Sequence, residues 1–203
     1  MSLNRFVVLM CFGLMLQACS LSGEAPPADH FYRLPEPSGE LSGAQVHFDH
    51  VLIRPLQVSG LYHERAMLYV DAQRPLELHR YHYQFWTDPP DVLVQRYMKA
   101  WLLQHKVADR VSLDSVDRGE AEPALVISAS LIGFEQQRGG AETDVRLAMD
   151  IRWNDADGNS HSTRIELKQA AASAGLYDAA EAFGQALDRL MKQLLDTISQ
   201  KSA

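Results

Sequence analysis

The residues that most invite a chemical role are the histidines, of which the sequence has eight. Two pairs are spaced three residues apart, His47 with His50 and His79 with His82, a spacing also found among zinc ligands. Both pairs fall in segments with the pattern of strands, where residues three apart point to opposite faces and could not share an ion without a bend. We therefore predict no metal site and no cofactor, and we interpret these histidines as surface residues.

Motifs for catalysis are equally sparse. Residues 155–159, Asp-Ala-Asp-Gly-Asn, lack the ligand spacing and the distal glutamate of a calcium loop, and their composition favours a hairpin turn. Gly139-Gly140 is not followed by the Lys-Ser or Lys-Thr of a phosphate-binding loop, and the sequence contains no Gly-x-Ser-x-Gly nucleophile motif. We predict that the protein is not an enzyme, and a hydrolytic activity remains only as a residual alternative.

A cysteine near the start of the chain carries the clearest chemical signal. Residues 6–16 form an apolar run that is too short to span a bilayer as a helix, and residues 1–18 together are typical of a signal peptide. The segment 16–19, Leu-Gln-Ala-Cys, resembles the lipobox of bacterial lipoproteins. The resemblance implies cleavage before Cys19, a diacylglycerol on its sulfur and an acyl group on its new amino terminus. A plain secretory signal or an uncleaved anchor is the alternative.

The residues around Cys19 also predict where the protein resides. Cys11 lies in the removed segment, so the mature chain would have no second thiol to pair with Cys19. Ser20 follows Cys19 instead of the aspartate that marks inner-membrane retention in enterobacterial lipoproteins, so we predict an outer-membrane protein attached through acylated Cys19 on the periplasmic face. Residues 19–29 are small, polar and proline-containing, and we interpret them as a lipidated tether.

The remaining residues, 30–203, have the length of a single domain, in a chain that is 46% hydrophobic and 22% charged. The net charge of −7 opposes binding to a phosphate backbone, so we predict no nucleic-acid partner. Apolar or alternating segments predict strands at 31–34, 46–58, 67–70, 76–79, 125–134, 145–153 and 163–167. The last three of these predict an antiparallel meander with hairpin turns at Gly139-Gly140 and Asp157-Gly158.

Two further segments have the spacing of a buried helix face. One begins at Pro89-Pro90, with Asp88 as a capping residue, and the other covers residues 177–199. Residues 109–123 are polar and predict a loop. The order strands, helix, strands, helix predicts an α+β fold, a mostly antiparallel sheet with two helices packed on one face.

Four segments between residues 30 and 90 resemble a known family, and Phe134 and Trp153 in the later predicted strands extend the resemblance along nearly the whole mature chain. They are residues 30–34 (His-Phe-Tyr-Arg-Leu), 51–58 (Val-Leu-Ile-Arg-Pro-Leu-Gln-Val), 60–70 (Gly-Leu-Tyr-His-Glu-Arg-Ala-Met-Leu-Tyr-Val) and 85–90 (Phe-Trp-Thr-Asp-Pro-Pro). They are similar to the auxiliary lipoproteins of ABC transport systems, the family of the paraquat-inducible protein C lipoproteins. The positions that fall on the family outline are Pro55, Tyr62, Arg65, Trp86, Asp88 and Pro89.

The resemblance implies a non-catalytic component of an envelope lipid-transport system of the MCE kind, with an MCE-domain protein as the partner. The lipoprotein would form the outer-membrane docking end of that system, and assembly into a homo-oligomer stays open. Aromatic residues near arginine are common interface anchors, and the candidate partner contacts are Tyr62, Arg65, Tyr83, Phe85 and Trp86. Tyr62 and Trp86 have the core as an alternative location. The alternative function is a lipoprotein that itself binds lipid or regulates a cell-wall enzyme.

Overall fold

The computed structural model describes residues 27–38, 41, 46–114, 122–140, 143–155 and 157–201. The predicted signal peptide, Cys19 and most of the predicted tether lie outside these residues. Within them, the chain forms nine strands, one short 3-10 helix and two α-helices. In chain order they are β1 (His30–Tyr32), β2 (Phe48–Ile53), β3 (Gln57–Val58), the 3-10 helix (Gly60–His63), β4 (Ala66–Asp71), β5 (Arg74–Trp86), α1 (Pro90–Gln104), β6 (Ala108–Leu113), β7 (Leu125–Arg138), β8 (Asp144–Asn154), β9 (Ser160–Ala170) and α2 (Leu176–Lys201).

All nine strands belong to one sheet that is organised around β7. One edge of β7 pairs antiparallel with β8, which in turn pairs antiparallel with β9. The other edge of β7 pairs parallel with β2, β3 and β4 in succession. Beyond these strands, β2 pairs parallel with β6, β4 pairs antiparallel with β5, and β5 pairs parallel with β1.

The prediction of a mostly antiparallel sheet is therefore wrong, because the sheet is mixed and five of its pairings are parallel. The alternation of apolar and polar residues reports which face of a strand is buried, and it carries no information on the direction of the neighbouring strand. The connection from β5 to β6 runs through α1, and a crossover of this kind is what lets strands from the two halves of the chain run parallel.

The predicted meander of β7, β8 and β9 is confirmed. Five alternate residues of β8 are almost fully buried, and the residues between them lie on the opposite face of the sheet. The buried residues are Val145, Leu147, Met149, Ile151 and Trp153. Gly139 and Gly158, at the two predicted turns, have positive φ angles of 78° and 82°, a backbone conformation that residues other than glycine rarely adopt.

Both predicted helices are present, although two details differ from the prediction. Asp88 makes no capping hydrogen bond at the start of α1; its Oδ2 accepts a hydrogen bond from Arg96 Nη1 at 3.0 Å instead. The segment predicted as a loop contains β6, which the alternation rules miss because two of its residues, Asp109 and Arg110, are exposed in succession. Helix α2 contacts β8, β9 and α1, and α1 contacts β6.

Three aromatic rings from separate elements meet in the core. The rings of Phe134 on β7 and Phe183 on α2 stack with centroids 4.0 Å apart, and the ring of Trp86 on β5 lies 5.3 Å from Phe134 and 5.6 Å from Phe183. Because such pairs contribute beyond the area that they bury, they join β5, β7 and α2 into one unit.

Residues 33–38 form a strap that leads from β1 across α2. The Asp188 carboxylate on α2 accepts hydrogen bonds from the backbone N–H and the hydroxyl of Ser38. A Cβ atom at Gly184 of α2 would lie 2.3 Å from Pro35 Cγ, so the strap approaches the helix backbone more closely than any side chain there would permit. The strap therefore fixes the path of the chain from β1 across α2.

Among the described residues, neither helix combines the length and the apolar character needed to cross a bilayer.

Candidate docking surface

An open groove of about 480 Å³ lies between β1, the strap and the start of α2. Two large side chains on its walls are exposed: Phe31 of β1 has 56% of its surface accessible and Tyr177 of α2 has 69%. Arg33, Glu36 and Glu181 also line the groove. Exposed aromatic side chains bordered by charged groups are typical of a protein interaction surface.

The edge of the sheet next to this groove carries a small aromatic cluster. Phe31 is the register partner of Phe85 across the parallel pair of β1 and β5, and the two rings stack with centroids 5.8 Å apart. The Arg65 guanidinium lies 5.4 Å from the centre of the Phe31 ring, and Arg65 Nε donates to the carbonyl of Trp86 at 3.1 Å. We call Phe31, Arg65 and Phe85 the aromatic edge. It combines an apolar surface with a fixed positive charge.

Tyr83 lies two residues before Phe85 at an irregularity of β5. The pairing of β4 with β5 is irregular between Ala66 and Leu68, where a step of two residues on β4 corresponds to a step of five residues on β5. Tyr83 has a φ of 59° and is exposed. A left-handed backbone at a residue other than glycine costs on the order of 1–3 kcal/mol. This irregular segment of β5 presents the Tyr83 ring to solvent.

The five sequence-predicted contacts do not all lie together. Arg65 and Phe85 both contact the Phe31 ring, and Tyr83 is exposed two residues before Phe85 in β5. Trp86 is only 1% exposed and packs in the aromatic core, so we correct its assignment from a contact to a core residue. Strand alternation explains the difference, because Phe85 and Trp86 are consecutive and point to opposite faces.

Tyr62 is half-buried and belongs to a polar network on β7 and β8. Its hydroxyl donates to Glu135 Oε2 at 2.9 Å, and Arg146 Nη1 donates to Glu135 Oε1 at 3.0 Å. Arg146 Nε also donates to Glu166 at 2.7 Å. Burial and the charge of Glu135 raise the pKa of Tyr62 far above its usual range, so the hydroxyl stays a hydrogen-bond donor. The network satisfies the buried Glu135 carboxylate.

The structure groups three exposed residues that offer metal-ligand atoms. His47 and Asp49 share one face of the chain at β2, and Asp109 of β6 lies beside them, so the three ligand atoms are within 4.8 Å of one another. His47 Nδ1 bonds to the carbonyl of Lys106 at 3.0 Å, and its Nε2 lies 3.3 Å from Asp109. This carbonyl and then the Asp109 carboxylate raise the pKa of His47. Sequence analysis, which compared His47 only with His50, missed this group.

Sequence reasoning also missed Phe31 and Tyr177 as surface residues. Both were read as parts of a strand or a helix, and nothing in a short apolar stretch distinguishes a side chain that faces the core from one that faces a groove. Their juxtaposition depends on α2 folding back beside β1, which only the tertiary structure reveals.

Two solved structures have a fold similar to that of this chain. A Xanthomonas campestris protein described as a member of the DUF330 family matches with a TM-score of 0.70 and 16% identity, over 85% of this chain and 99% of that one. An uncharacterised protein matches with a TM-score of 0.63 and 13% identity, over 87% of this chain and 100% of that one. PelC of Paraburkholderia phytofirmans, described as a dodecamer, has a TM-score of 0.41 and 11% identity, over 76% of this chain and 93% of that one.

At these identities the first two solved structures establish the fold alone. No curated protein sequence matches this chain. A family match of the sequence itself goes further. The family described as the ABC-type transport auxiliary lipoprotein component matches residues 32–195, which span the sequence from β1 into the last turns of α2. The chain therefore belongs to the family of ABC-type transport auxiliary lipoprotein components.

Proposed function

We propose that this protein is the outer-membrane-anchored, non-catalytic component of an MCE-type ABC system that transports lipid in the cell envelope. The observation that carries the proposal is the family match over residues 32–195, since the family is described as an auxiliary lipoprotein component of ABC-type transport. The lipid cargo and the MCE-domain partner are the specific content that the proposal adds.

The anchor in this proposal is acylated Cys19, held on the periplasmic face of the outer membrane. At about 0.8 kcal/mol for each buried methylene, several acyl chains would attach the protein for practical purposes permanently. Residues 27–29 are exposed and lead directly into β1. The lipidated tether would therefore enter the domain beside the groove that Phe31 helps to form.

The docking surface in this proposal is the groove together with the aromatic edge. Phe31 and Tyr177 offer exposed apolar surface, while Arg65, Glu36 and Glu181 provide charged groups around it. A partner segment with an aliphatic or aromatic side chain fits such a groove, because burial of large side chains in pockets supplies most of the binding energy at interfaces.

The test is an affinity purification of the full chain from solubilised envelopes, with mass spectrometry of the proteins and lipids that accompany it. We expect an MCE-domain protein to accompany the wild-type chain in stoichiometric amount. The double variant Phe31→Ala with Tyr177→Ala should lower its recovery at least tenfold. Leu76→Ala is the matched control, since Leu76 is 99% exposed on the β4–β5 hairpin and lies outside the groove.

The possible outcomes separate the candidate functions. Equal recovery of the MCE-domain protein with the wild-type chain, the double variant and Leu76→Ala would refute the docking surface. It would still support membership in an MCE-type system. Lipid without any MCE-domain protein would instead favour a domain that binds lipid itself, and a cell-wall enzyme in its place would favour regulation of that enzyme. The mass of the purified particle reports whether the chain is a homo-oligomer. Cys19→Ala should remove the acyl mass from the amino-terminal segment of the purified chain, as measured by mass spectrometry.

A further inference from the structure

A polar cleft opens on the face of the sheet that points away from the aromatic core, where β2 gives way to β3. Strand β2 pairs with β7 as far as Ile127, and β3 resumes the pairing at Ser130. Between these points the chain turns through Arg54 and Pro55, and the sheet is interrupted. The resulting cleft has a volume of about 280 Å³. Its polar lining consists of Arg54, Gln57, Ser128, Ser130, Asp150 and Arg152.

The cleft contains two arginines that make no contact ion pair with a carboxylate of the described residues, although the charge of Asp150, two residues away on β8, acts on Arg152 at longer range. Within the part of the chain that the structure describes, neither Arg54 nor Arg152 forms an ion pair. The register partners of Arg152 on its two neighbouring strands are Ser128 and Ser162, so no acidic group lies directly opposite it. Both arginine side chains are exposed and can reach a ligand.

The single acidic residue of the cleft lining is already paired. Arg164 donates to both carboxylate oxygens of Asp150, at 2.6 and 2.7 Å. This hydrogen-bonded pair holds the pKa of Asp150 below its usual range, so the carboxylate stays ionised and bound to Arg164. The cleft is consequently positive in a chain whose net charge is −7.

The donors of the cleft match the oxygens of a phosphate group. Each guanidinium presents a planar fork of N–H groups that binds phosphate or carboxylate in a bidentate manner. The Ser128 hydroxyl and the Gln57 side chain add further hydrogen-bonding groups. The terminal oxygens of a phosphate ester, three in a monoester and two in a diester, can accept from both forks, and their tetrahedral arrangement lets the two guanidiniums approach from different directions. Pro55 and Ala129 complete the lining and offer an apolar wall for the carbon atoms of an ester.

We propose that this cleft binds the phosphate group of a phosphate ester through Arg54 and Arg152. Two sources share this chemistry, the headgroup of an anionic phospholipid and a soluble phosphate ester. The site lies on the open face of β7 and β8, whereas the docking groove lies between β1 and α2. Failure of the phosphate-site proposal would therefore not refute the proposed docking function, and the reverse also holds.

The first experiment titrates the full chain, in a non-ionic detergent, with inorganic phosphate and with glycerol 3-phosphate at constant ionic strength. Isothermal titration calorimetry should give saturable binding to the wild-type chain. The double variant Arg54→Gln with Arg152→Gln should lower the association constant at least tenfold. Both positions are exposed, so the variant should unfold at the same urea concentration as the wild-type protein.

The matched control is the double variant Arg74→Gln with Arg80→Gln, which removes the same charge from the β4–β5 hairpin, where the arginines pair with Glu77 and Glu64. It should retain the wild-type association constant within a factor of two. Absence of saturable binding to the wild-type chain would overturn the proposal. An equal loss in both double variants would also overturn it, because it would show a response to net charge alone.

The second experiment identifies the source of the phosphate. Native mass spectrometry would count lipids retained by the full chain from mixed micelles that contain phosphatidylglycerol or phosphatidylcholine. Retention of phosphatidylglycerol that depends on Arg54 and Arg152 supports a lipid headgroup in the cleft. Binding of glycerol 3-phosphate without such retention supports a soluble ester. Retention that is the same in the wild-type chain and the Arg54→Gln, Arg152→Gln variant overturns the headgroup version.

Discussion

Replacing Asp188 by alanine tests whether the strap is held in place by one buried carboxylate. Asp188 is only 6% exposed and accepts hydrogen bonds from three donors that belong to two other parts of the chain. Its Oδ1 accepts from the Tyr97 hydroxyl of α1 at 2.8 Å. Its Oδ2 accepts from Ser38 Oγ at 2.7 Å and from the Ser38 backbone N–H at 3.2 Å. The substitution therefore removes these hydrogen bonds between α2 and the strap and weakens the contact of α2 with α1.

The expected magnitude follows from what happens to each donor. A hydrogen bond to a charged group contributes roughly 1.5–3 kcal/mol, but these values do not add. The Tyr97 hydroxyl keeps the carbonyl of Gly184, at 3.0 Å, as an acceptor, and the partly exposed Ser38 donors can bind water. Removing the carboxylate also removes its own desolvation cost. We therefore expect a loss of about 2–3 kcal/mol in the free energy of unfolding, close to the value of one charge-assisted bond.

Urea unfolding measures this loss, and Asp196→Ala is the matched control. Asp196 is exposed on the same helix and has no hydrogen-bond partner among the described residues. Its removal near the C-terminus of α2 should be neutral or slightly stabilising, by less than about 0.5 kcal/mol, because negative charge is unfavourable there. If Asp188→Ala and Asp196→Ala shift the unfolding free energy equally, the buried carboxylate does not hold the strap. A double-mutant cycle with Ser38→Ala should give a coupling of about 1 kcal/mol or more.

The close approach of the strap to α2 and the pairing of His47 support two further predictions. Gly184→Ala should destabilise the protein by about 1–3 kcal/mol through overpacking against Pro35, although alanine favours helices, and an unchanged melting temperature would contradict the close contact. In an NMR titration, His47 should have a pKa above 6.5, and Asp109→Asn should lower it only in part, because the Lys106 carbonyl makes the larger contribution. This raised pKa stabilises the fold below about pH 6.5, and the effect is lost as the pH rises through the folded-state pKa. A pKa for His47 at or below 6.5 would show that neither partner is engaged.

The meander and the two helices were predictable because their side chains record burial directly. In β8 every second residue from Val145 to Trp153 is buried, and in α2 the residues of the apolar stripe, such as Leu187 and Leu194, are buried. A surface element with one buried face shows its own period in the sequence, 2 for a strand and 3.6 for a helix. Strand β6 escaped prediction because it is short and its exposed residues are adjacent.

The candidate surfaces were only partly predictable for a related reason. Arg65, Tyr83 and Phe85 were singled out by residue type, and the structure places them at or near the exposed edge of β1 and β5. Trp86, of the same type, is buried. The polar cleft had no local signal, because Arg54 and Arg152 are nearly a hundred residues apart and meet only through the pairing of β2, β3, β7 and β8.

The amino-acid sequence by itself determined most of the secondary structure, the order of its elements and the resemblance to a transport auxiliary lipoprotein family, which the family match confirms. Each of these depends on residues that are close together in the chain. Only the tertiary structure decided that β2, β3 and β4 run parallel to β7, that Trp86 is buried while Phe31 and Tyr177 border one groove, and that Arg54 and Arg152 share a cleft. These features depend on which distant segments pair, and the free energy of that pairing belongs to the whole core rather than to any local pattern.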